Sequence, residues 1–347
     1  MAVTGRSPDG VLVIGGGPAG LAAAIAARLK GFDVIVTDSA RPPIDKACGE
    51  GILPAGVDGL HRLGVPLGGG DGFPFQGIRF ISHAASFEVP FRDGSGIAVR
   101  RVRLHELLVR RAADLGVQLL WGTNMRSTSG LSKGRWIVGA DGQHSRVRQD
   151  ARLDAAQTLS TRFGFRRHYR LPPWTDMVEV YWGARCQVYV TPVSSDEIGV
   201  AVLSRDSHLR LDAALREFPA LERQLRAARF TSTERGAATI SRRLRRVFRG
   251  RTVLIGDASG SVDAIAGEGL SLAFLQAFAL ADALAAGELS LYQTEHRRLA
   301  RHPAIMANAM LLLDRFPWLR RLVFQVLSFE PSILSRLLAK HPLGDAP

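Results

Sequence analysis

Residues 11–20 decide the fold: the short apolar run Val11-Leu12-Val13-Ile14 leads directly into Gly15-Gly16-Gly17-Pro18-Ala19-Gly20. An Ala-rich stretch from Leu21 to Leu29 comes next, so the order predicts a buried strand, a tight turn and a helix. In a G-x-G-x-x-G turn, the first glycine permits the turn, the second admits a pyrophosphate, and the third lets the helix approach the strand. We therefore expect a dinucleotide on the backbone of this turn, Pro18 and Ala19 included, at the helix N-terminus.

A carboxylate follows this turn at a suitable distance. The second apolar run, Val34-Ile35-Val36, is followed by Asp38, which lies 18 residues after Gly20. An acidic residue about 20 residues beyond such a turn holds a ribose hydroxyl in dinucleotide-binding folds. The alternative is a glycine-rich turn that binds nothing, and the strand, helix and acid together favour the dinucleotide site.

The composition is typical of a globular α/β protein, with 347 residues, 46% hydrophobic side chains and 36 glycines. The two cysteines, Cys48 and Cys186, predict no disulfide framework and favour a reducing compartment. We find no signal segment at the start and no apolar run long enough to span a membrane, so a cytoplasmic location is expected. The net charge of +13 fits an anionic partner or an ordinary arginine-rich surface, and no aromatic-interleaved basic motif predicts nucleic-acid binding.

The pattern of elements predicts an α/β fold in which a Rossmann-like nucleotide domain is interleaved with an antiparallel-sheet domain and followed by helices. Residues 102–114 have helical spacing, residues 160–205 alternate like strands, and residues 209–229 and the stretch after 270 are helical. The predicted parts are a nucleotide domain at 8–75, 98–158 and 240–290, a substrate-binding sheet domain at 76–97 and 159–239, and a helical region at 291–347.

Two further aspartates follow predicted buried strands at glycine-flanked turns. Asp141 lies in Gly139-Ala140-Asp141-Gly142, and Asp257 lies in Gly256-Asp257-Ala258, ahead of Gly267-Glu268-Gly269 and a helix. Ligands of open α/β sheets bind at the carboxyl ends of the strands, so the three turns can converge on one extended ligand. Taken singly, each aspartate also fits a plain turn.

Together these turns resemble the flavoprotein hydroxylase superfamily with the para-hydroxybenzoate hydroxylase fold. Its marks are the first glycine turn, a middle D-G-x-x-S-x-x-R (Asp141, Gly142, Ser145, Arg148) and a late G-D-A, in that order. The resemblance implies FAD as the cofactor, with NAD(P)H as electron donor. It also implies which residues bind the parts of FAD, from the pyrophosphate to the flavin ring. They are Gly15, Gly17, Pro18, Ala19, Gly20, Asp38, Arg101 (with Arg100 as a rival), Asp141, Asp257, Gly267 and Gly269.

Within that superfamily, the chain looks closest to a branch that contains geranylgeranyl-reductase-like and flavin-halogenase-like enzymes. The segment Cys48-Gly49-Glu50-Gly51 and the Gly267-Glu268-Gly269 element carry that likeness. The chain departs from the branch at Ala264, where a proline is usual, and in the aromatic element of prenyl reductases, of which only Tyr189-Val190-Thr191-Pro192 remains. The tryptophan halogenase element W-x-W-x-I-P is absent.

Two residues near the expected flavin are candidates for catalysis. Cys48 fits a redox or proton-donating thiol, or a small apolar filler. Glu268, like Glu50, fits a proton relay, or an acid that pairs with an arginine or faces solvent. No metal-ligand spacing occurs, and we predict no metal site. The substrate wall over the flavin is predicted in the inserted sheet, with Tyr181, Tyr189 and Pro192 as its side chains.

Two regions stay open to more than one interpretation. The basic residues between Arg242 and Arg251 fit a phosphate-docking site, an acidic protein surface or a solvated loop. The apolar tail from Met306 to Leu338 fits ordinary core helices, a cap over a long apolar substrate, or a peripheral membrane contact.

The resemblance implies a monooxygenase that acts on a small apolar or aromatic molecule through a flavin C4a-hydroperoxide. An FAD-dependent ene-reductase of an isoprenoid or polyketide chain is the alternative within enzymes. A flavin-binding protein without turnover is the alternative from another class.

Overall fold

A six-stranded sheet places the carboxyl ends of its strands along one edge of the molecule. The computed structural model describes residues 10–125 and 135–329. The strand order is β16-β17-β9-β1-β2-β8, and all neighbours are parallel except the edge pair β16 and β17. The strands are β1 (Gly10–Ile14), β2 (Val34–Asp38), β8 (Gln118–Trp121), β9 (Arg135–Gly139), β16 (Phe248–Arg249) and β17 (Thr252–Leu254).

Helices cover this sheet and form the largest apolar core with it. The Ala-rich α1 (Pro18–Leu29) is buried along almost its whole length, because its small side chains let it lie close to β1 and to its helical neighbours. The other helices of this part are α2 (Pro54–Arg62), α3 (Arg101–Asp114), the short α4 (Arg146–Asp150) and α7 (Gly269–Ala285). The predicted Rossmann-like α/β fold is confirmed.

A second, larger sheet has the order β14-β10-β13-β12-β11-β5-β6, with β15 paired to β10. Its pairs are antiparallel except for β5 and β11, which run parallel, so the predicted antiparallel sheet holds one exception. The strands are β5 (Gly77–Ile81), β6 (Ser86–Pro90), β10 (Ala156–Arg170), β11 (Met177–Trp182), β12 (Cys186–Ser194), β13 (Glu197–Ser204), β14 (Arg229–Phe230) and β15 (Arg235–Leu244).

The two faces of this second sheet pack against different parts of the chain. On the outer face, Val188, Val190 and Val200 pack on the short helices α5 (Leu211–Leu215) and α6 (Pro219–Leu225). On the inner face, Tyr189 and Leu203 join an apolar cluster with residues of the C-terminal helices. The single helix expected over 209–229 is therefore two short helices, because Pro219 begins a new one after Phe218.

The remaining elements connect these sheets. A small sheet joins β3 (Gly51–Ile52), β7 (Gly96–Ala98) and β4 (Phe73–Phe75). The C-terminal part consists of the long α8 (Leu289–Arg315) and α9 (Pro317–Phe329). The predicted domain boundaries remain a prediction. The part of the expected apolar tail that lies beyond Phe329 is outside the described residues. Among the helices that are described, none has the length and apolar character needed to cross a membrane.

Candidate functional site

The glycine turn has the geometry that a bound pyrophosphate requires. Gly15 has a φ of +113°, and a Cβ there would overlap the carbonyl of Ala140. A Cβ at Gly20 would overlap the carbonyl oxygen of Gly15, so only glycine lets α1 pack so close to the turn. By contrast, a Cβ at Gly17 would meet nothing within 4 Å. The middle glycine therefore faces open space at the N-terminus of α1, where an anion is favoured.

Asp38 supports this turn from the end of β2. Its carboxylate accepts hydrogen bonds from the backbone N–H of Gly16 at 2.7 Å and of Ala40 at 2.8 Å. Each oxygen keeps capacity for another bond, as the predicted ribose contact requires. His105 of α3, which the sequence did not single out, holds the turn from the other side, with its Nε2 2.9 Å from the carbonyl oxygen of Gly16.

The two rival arginines before α3 have different partners. Arg100 forms an ion pair with Glu197 of the second sheet, at 2.7 and 2.8 Å from its two carboxylate oxygens. The Nε of Arg101 is buried and has no hydrogen-bond partner among the described residues. A buried guanidinium nitrogen without a partner is costly, so Arg101 is the better candidate for an anionic ligand.

In the middle motif, which contains Asp141, Ser145 and Arg148, the polar side chains form hydrogen bonds within the turn and to the neighbouring segment. Asp141 accepts hydrogen bonds from the Ser145 hydroxyl at 2.5 Å and from the N–H groups of Arg146 and Val147 at 2.8 and 3.2 Å. The buried Arg148 then donates to the Ala258 carbonyl at 3.2 Å, which ties this turn to the G-D-A segment. Asp141 therefore acts on any ligand through the shape of the turn.

The G-D-A segment directly follows β17 and lies against α1. Gly256 has a φ of +59°, its N–H donates to Gln276 at 3.0 Å, and a Cβ there would come within 2.6 Å of Ala19. Desolvation raises the pKa of Asp257, and the positive charges of Lys46 and Arg101 oppose that rise. Because Gly256 lies against Ala19 and Gly15 against Ala140, the three turns meet at one place.

Glu268 lies between two open glycines at the start of α7. A Cβ at Gly267 or Gly269 would meet nothing within 4 Å, so the backbone here is open to a flat ligand. Glu268 has no hydrogen-bond or ion-pair partner within the described residues, and burial raises its pKa to about 7. A carboxyl group of this kind can hold or release a proton near neutral pH.

Cys48 and Glu50 lie in the loop between β2 and β3, and they have different surroundings. The Sγ of Cys48 accepts the N–H of Glu50 at 3.3 Å, and burial raises the pKa of the thiol. A neutral thiol does not support the redox role, and its proton-donating role stays a prediction. Glu50 is buried, accepts the N–H of Arg101 at 2.9 Å and lies 2.6 Å from His168 Nε2 on β10. It is therefore a link between the two sheets.

Of the predicted substrate side chains, only Tyr189 lies on the inner face of the second sheet. Its hydroxyl donates to the carbonyl of Ile265, just before the Gly267–Gly269 turn, at 2.9 Å. Tyr181 packs edge-on against Phe218 and donates to Glu179 on the outer face. Pro192 pairs with Ile198, which lies in the outer-face core. The prediction of Tyr181 and Pro192 as substrate wall is thus corrected, since alternate residues of a strand face opposite sides.

The basic residues between Arg242 and Arg251 do not act as one group. Arg242 donates to the carbonyl of Gln143 at 3.3 Å, and Arg251 stacks over Trp136 with its Cζ 4.6 Å from the ring centroid. The exposed members are Arg243, Arg245, Arg246 and Arg249. In the part of the chain that the structure describes, no cluster of metal-ligating side chains is present.

These residues fit FAD. The open Gly17 backbone suits the pyrophosphate, the Arg101 guanidinium, whose Nε has no partner among the described residues, suits its charge, and the open Gly267–Gly269 turn suits the ring. The fold and the site thus define a flavin-dependent oxidoreductase. Models of FAD binding domains match residues 10–64 and 132–290. The chain belongs to the family of FAD-dependent oxidoreductases with the para-hydroxybenzoate hydroxylase fold.

Several known proteins are similar to this chain along most of its length. A menaquinone reductase of Mycobacterium tuberculosis (strain ATCC 25618 / H37Rv) is 30% identical, over 86% of this chain and 79% of the relative. Digeranylgeranylglycerophospholipid reductase 1 of Methanothermobacter thermautotrophicus is 25% identical, over 84% and 80%. Among solved structures, a flavin-dependent brominase has a TM-score of 0.78 at 19% identity, covering 95% of this chain and 92% of its own.

Proposed function

We propose that this protein is an FAD-dependent reductase that saturates a carbon–carbon double bond in the isoprenoid chain of a lipid, with a prenylated quinone as the preferred class. The names of the two relatives above support this choice, because one denotes a reductase of menaquinone and the other a reductase of a geranylgeranyl lipid. NAD(P)H as the source of electrons is part of the proposal.

The observation that carries the proposal is the unpaired Glu268 with its pKa of about 7. Reduction of an isolated double bond needs a hydride for one carbon and a proton for the other. When bound, reduced FAD would supply the hydride with its electron pair and would itself be oxidised. Glu268 donates the proton, and water returns it after turnover. The glycines on both sides leave open space beside the backbone of Glu268.

An apolar surface next to Glu268 suits a hydrocarbon chain. Ala264, Ile265 and Ala266 of the preceding turn pack in one cluster with Tyr189 and with Met306 of α8. Such a surface would exclude water around the reacting bond, and the buried charges beside it, Asp263 and Arg162, are paired with each other at 3.2 Å.

A hydroxylase is the second candidate. It is favoured by the loss of the aromatic element of prenyl reductases, since Tyr189 is the single aromatic residue in Tyr189-Val190-Thr191-Pro192 and its hydroxyl is bonded to Ile265. In that case O₂ is the co-substrate, and Glu268 would donate its proton to an oxygen atom instead of carbon.

The test compares products formed with and without O₂. Purified protein loaded with FAD is reduced by dithionite under nitrogen and mixed with menaquinone in detergent micelles. The products are then exposed to air, so that quinol returns to quinone and only a saturated chain retains two extra hydrogens in the mass spectrum. A reductase gives that mass gain without O₂. A product that forms only in air and contains one more oxygen establishes the hydroxylase instead.

A further inference from the structure

Helix α9 exposes a continuous apolar stripe along one side. Its four members are Trp318, Leu322, Val326 and Phe329, which are 66%, 52%, 42% and 88% exposed. At about 100° of rotation per residue, these positions fall within an arc of roughly 80°. The stripe is therefore one surface, whereas exposed apolar residues such as Leu29 and Phe230 lie on separate elements.

The opposite side of α9 is fixed to the molecule. Phe324 is fully buried, with its ring 5.0 Å from Phe87 and 5.7 Å from Trp182, and Leu327 is buried beside it. The exposure of the stripe therefore follows from the way in which α9 packs, because rotating the helix to hide the stripe would expose Phe324. An amphipathic helix held in this orientation presents its apolar side outward.

Basic residues flank the start of the stripe, and Glu88, which lies near Ser328 of α9, is paired with Arg79 at 2.5 Å. Arg315 and Arg321 are exposed beside the stripe, and α9 itself contains no Asp or Glu. Two acids flank α9 in the sequence: Asp314 is paired with Arg162 at 2.7 Å and with Arg205 at 2.9 Å, and Glu330 lies outside the described residues. A Trp-containing apolar stripe flanked by arginines is complementary to the surface of an anionic bilayer.

The stripe also connects to the proposed active site. The cluster that buries Phe324 and Leu327 continues through Trp182 and Met310 to Ile265, next to the Gly267–Gly269 turn. Apolar side chains thus extend without interruption from the base of α9 to the neighbourhood of Glu268. These side chains are buried, so the cluster fixes the position of α9 relative to the proposed active site.

We infer that α9 docks on an anionic membrane surface, with the stripe among the acyl chains and Arg315 and Arg321 at the phosphates. The choice of a bilayer as the occupant rests in part on the proposed lipid substrate. A second copy of this chain is the competing occupant, and the experiment below separates the two.

Membrane docking is tested with the full-length FAD-loaded protein and vesicles of phosphatidylcholine with or without phosphatidylglycerol. We expect binding to the anionic vesicles that weakens at high salt, and a Leu322→Glu variant that binds at least about tenfold more weakly. Leu291→Glu is the matched control, because Leu291 is 50% exposed on the far end of α8, about 36 Å along that helix from Arg315. Its binding should equal that of the wild type.

A second measurement locates the contact. Brominated acyl chains should quench tryptophan fluorescence of the wild type, and the quenching should disappear in a Trp318→Phe variant. Equal vesicle binding of the Leu322→Glu and Leu291→Glu variants, or quenching that survives in Trp318→Phe, would overturn the inference. So would a concentration-dependent dimer in sedimentation that Leu322→Glu converts to a monomer.

The docking and the proposed reaction can fail separately. Activity on a short prenyl acceptor that dissolves in water depends on the flavin site alone, so Leu322→Glu should retain it fully. Vesicle binding without any prenyl reduction refutes the reductase and leaves the docking intact. Reduction of the short acceptor without vesicle binding refutes the docking and leaves the reductase intact.

Discussion

Glu268 combines properties that suit a proton donor. It lies between two glycines that a ligand can approach, it lacks a charged partner among the described residues, and burial alone raises its pKa. Asp38 and Asp141 show the contrast, since both are occupied by backbone N–H groups of the turns that they stabilise. The carboxyl groups of this region thus fall into two kinds, according to whether their oxygens have partners.

Replacing Glu268 with Gln should lower kcat about a hundredfold, because the amide cannot donate a proton in place of the acid. The wild-type rate should fall as the pH rises above about 7, where Glu268 loses its proton, and this limb should be missing in the variant. Steady-state rates across pH check both points. Glu288→Gln, at the position preceding α8, is the matched control, and a similar loss there would contradict the role of Glu268.

The two neighbouring arginines give a second contrast. Arg101→Ala should weaken FAD binding about tenfold to a hundredfold, the range expected for one charge-assisted hydrogen bond. Arg100→Ala should leave the FAD Kd within about threefold, because its guanidinium is already paired with Glu197. Flavin fluorescence titration of the apoproteins measures both. Equal losses in the two variants would show that Arg101 is not the group that contacts the cofactor.

At the scale of elements, the first strand, turn and helix form a unit whose glycines have separate tasks. Gly20 lets α1 lie close to the turn, and Gly17 leaves open space at the helix N-terminus. This division was predictable from the sequence, because the strand, the turn and the helix are contiguous. The link between Glu50 and His168 was not predictable, because the two residues lie 118 positions apart and meet only when the sheets assemble.

Alanine substitutions separate the tasks of these two glycines. Gly17→Ala should weaken FAD binding at least about tenfold while changing the free energy of unfolding by less than about 1 kcal/mol, because its Cβ meets only open space. Gly20→Ala should destabilise the apoprotein by about 1–3 kcal/mol, since its Cβ overlaps the carbonyl of Gly15. Urea unfolding and FAD titration check both, and a reversed pattern would contradict the assignment.

At the scale of the molecule, two side chains of α8 form hydrogen bonds with residues on either side of the G-D-A segment. His296 is buried 2.9 Å from the Ser259 hydroxyl, and Tyr292 donates to the carbonyl of Leu254 at 3.0 Å. Desolvation lowers the pKa of His296 to about 4. The imidazole therefore stays neutral in the folded protein at pH values where it would be protonated in the unfolded chain.

This difference predicts a loss of stability in acid. The unfolded chain binds the proton near pH 6.5 and the folded protein only near pH 4, so stability is complete above about pH 6.5 and declines as the pH falls toward 4. The contribution is about 3 kcal/mol, from 1.36 kcal/mol per pKa unit. Urea unfolding should show the wild type losing about that much more than His296→Gln between about pH 7 and pH 4. Parallel pH profiles would contradict this origin.

The sequence predicted the positions of the glycine turns better than the faces of the inserted strands. Glycine turns and strand ends are local signals, and they placed Gly15, Gly20 and Asp257 in one cleft. The substrate side depends on which residues of each strand face the cleft, because alternate residues face opposite sides. Tyr181 lies on the opposite face of the sheet from Tyr189. The substrate side also depends on α8 and α9, whose packing is set by contacts with strands more than a hundred residues earlier.

The order of strands in the first sheet has a consequence for synthesis of the protein. β17, which ends just before Asp257, pairs with β9, and β9 pairs with β1 from the other end of the chain. A nascent chain on the ribosome cannot close the flavin cleft until residues beyond 250 have emerged, so cofactor capture is a late event. Until then β9 presents an unpaired edge, and the growing polypeptide is most exposed to aggregation in that interval.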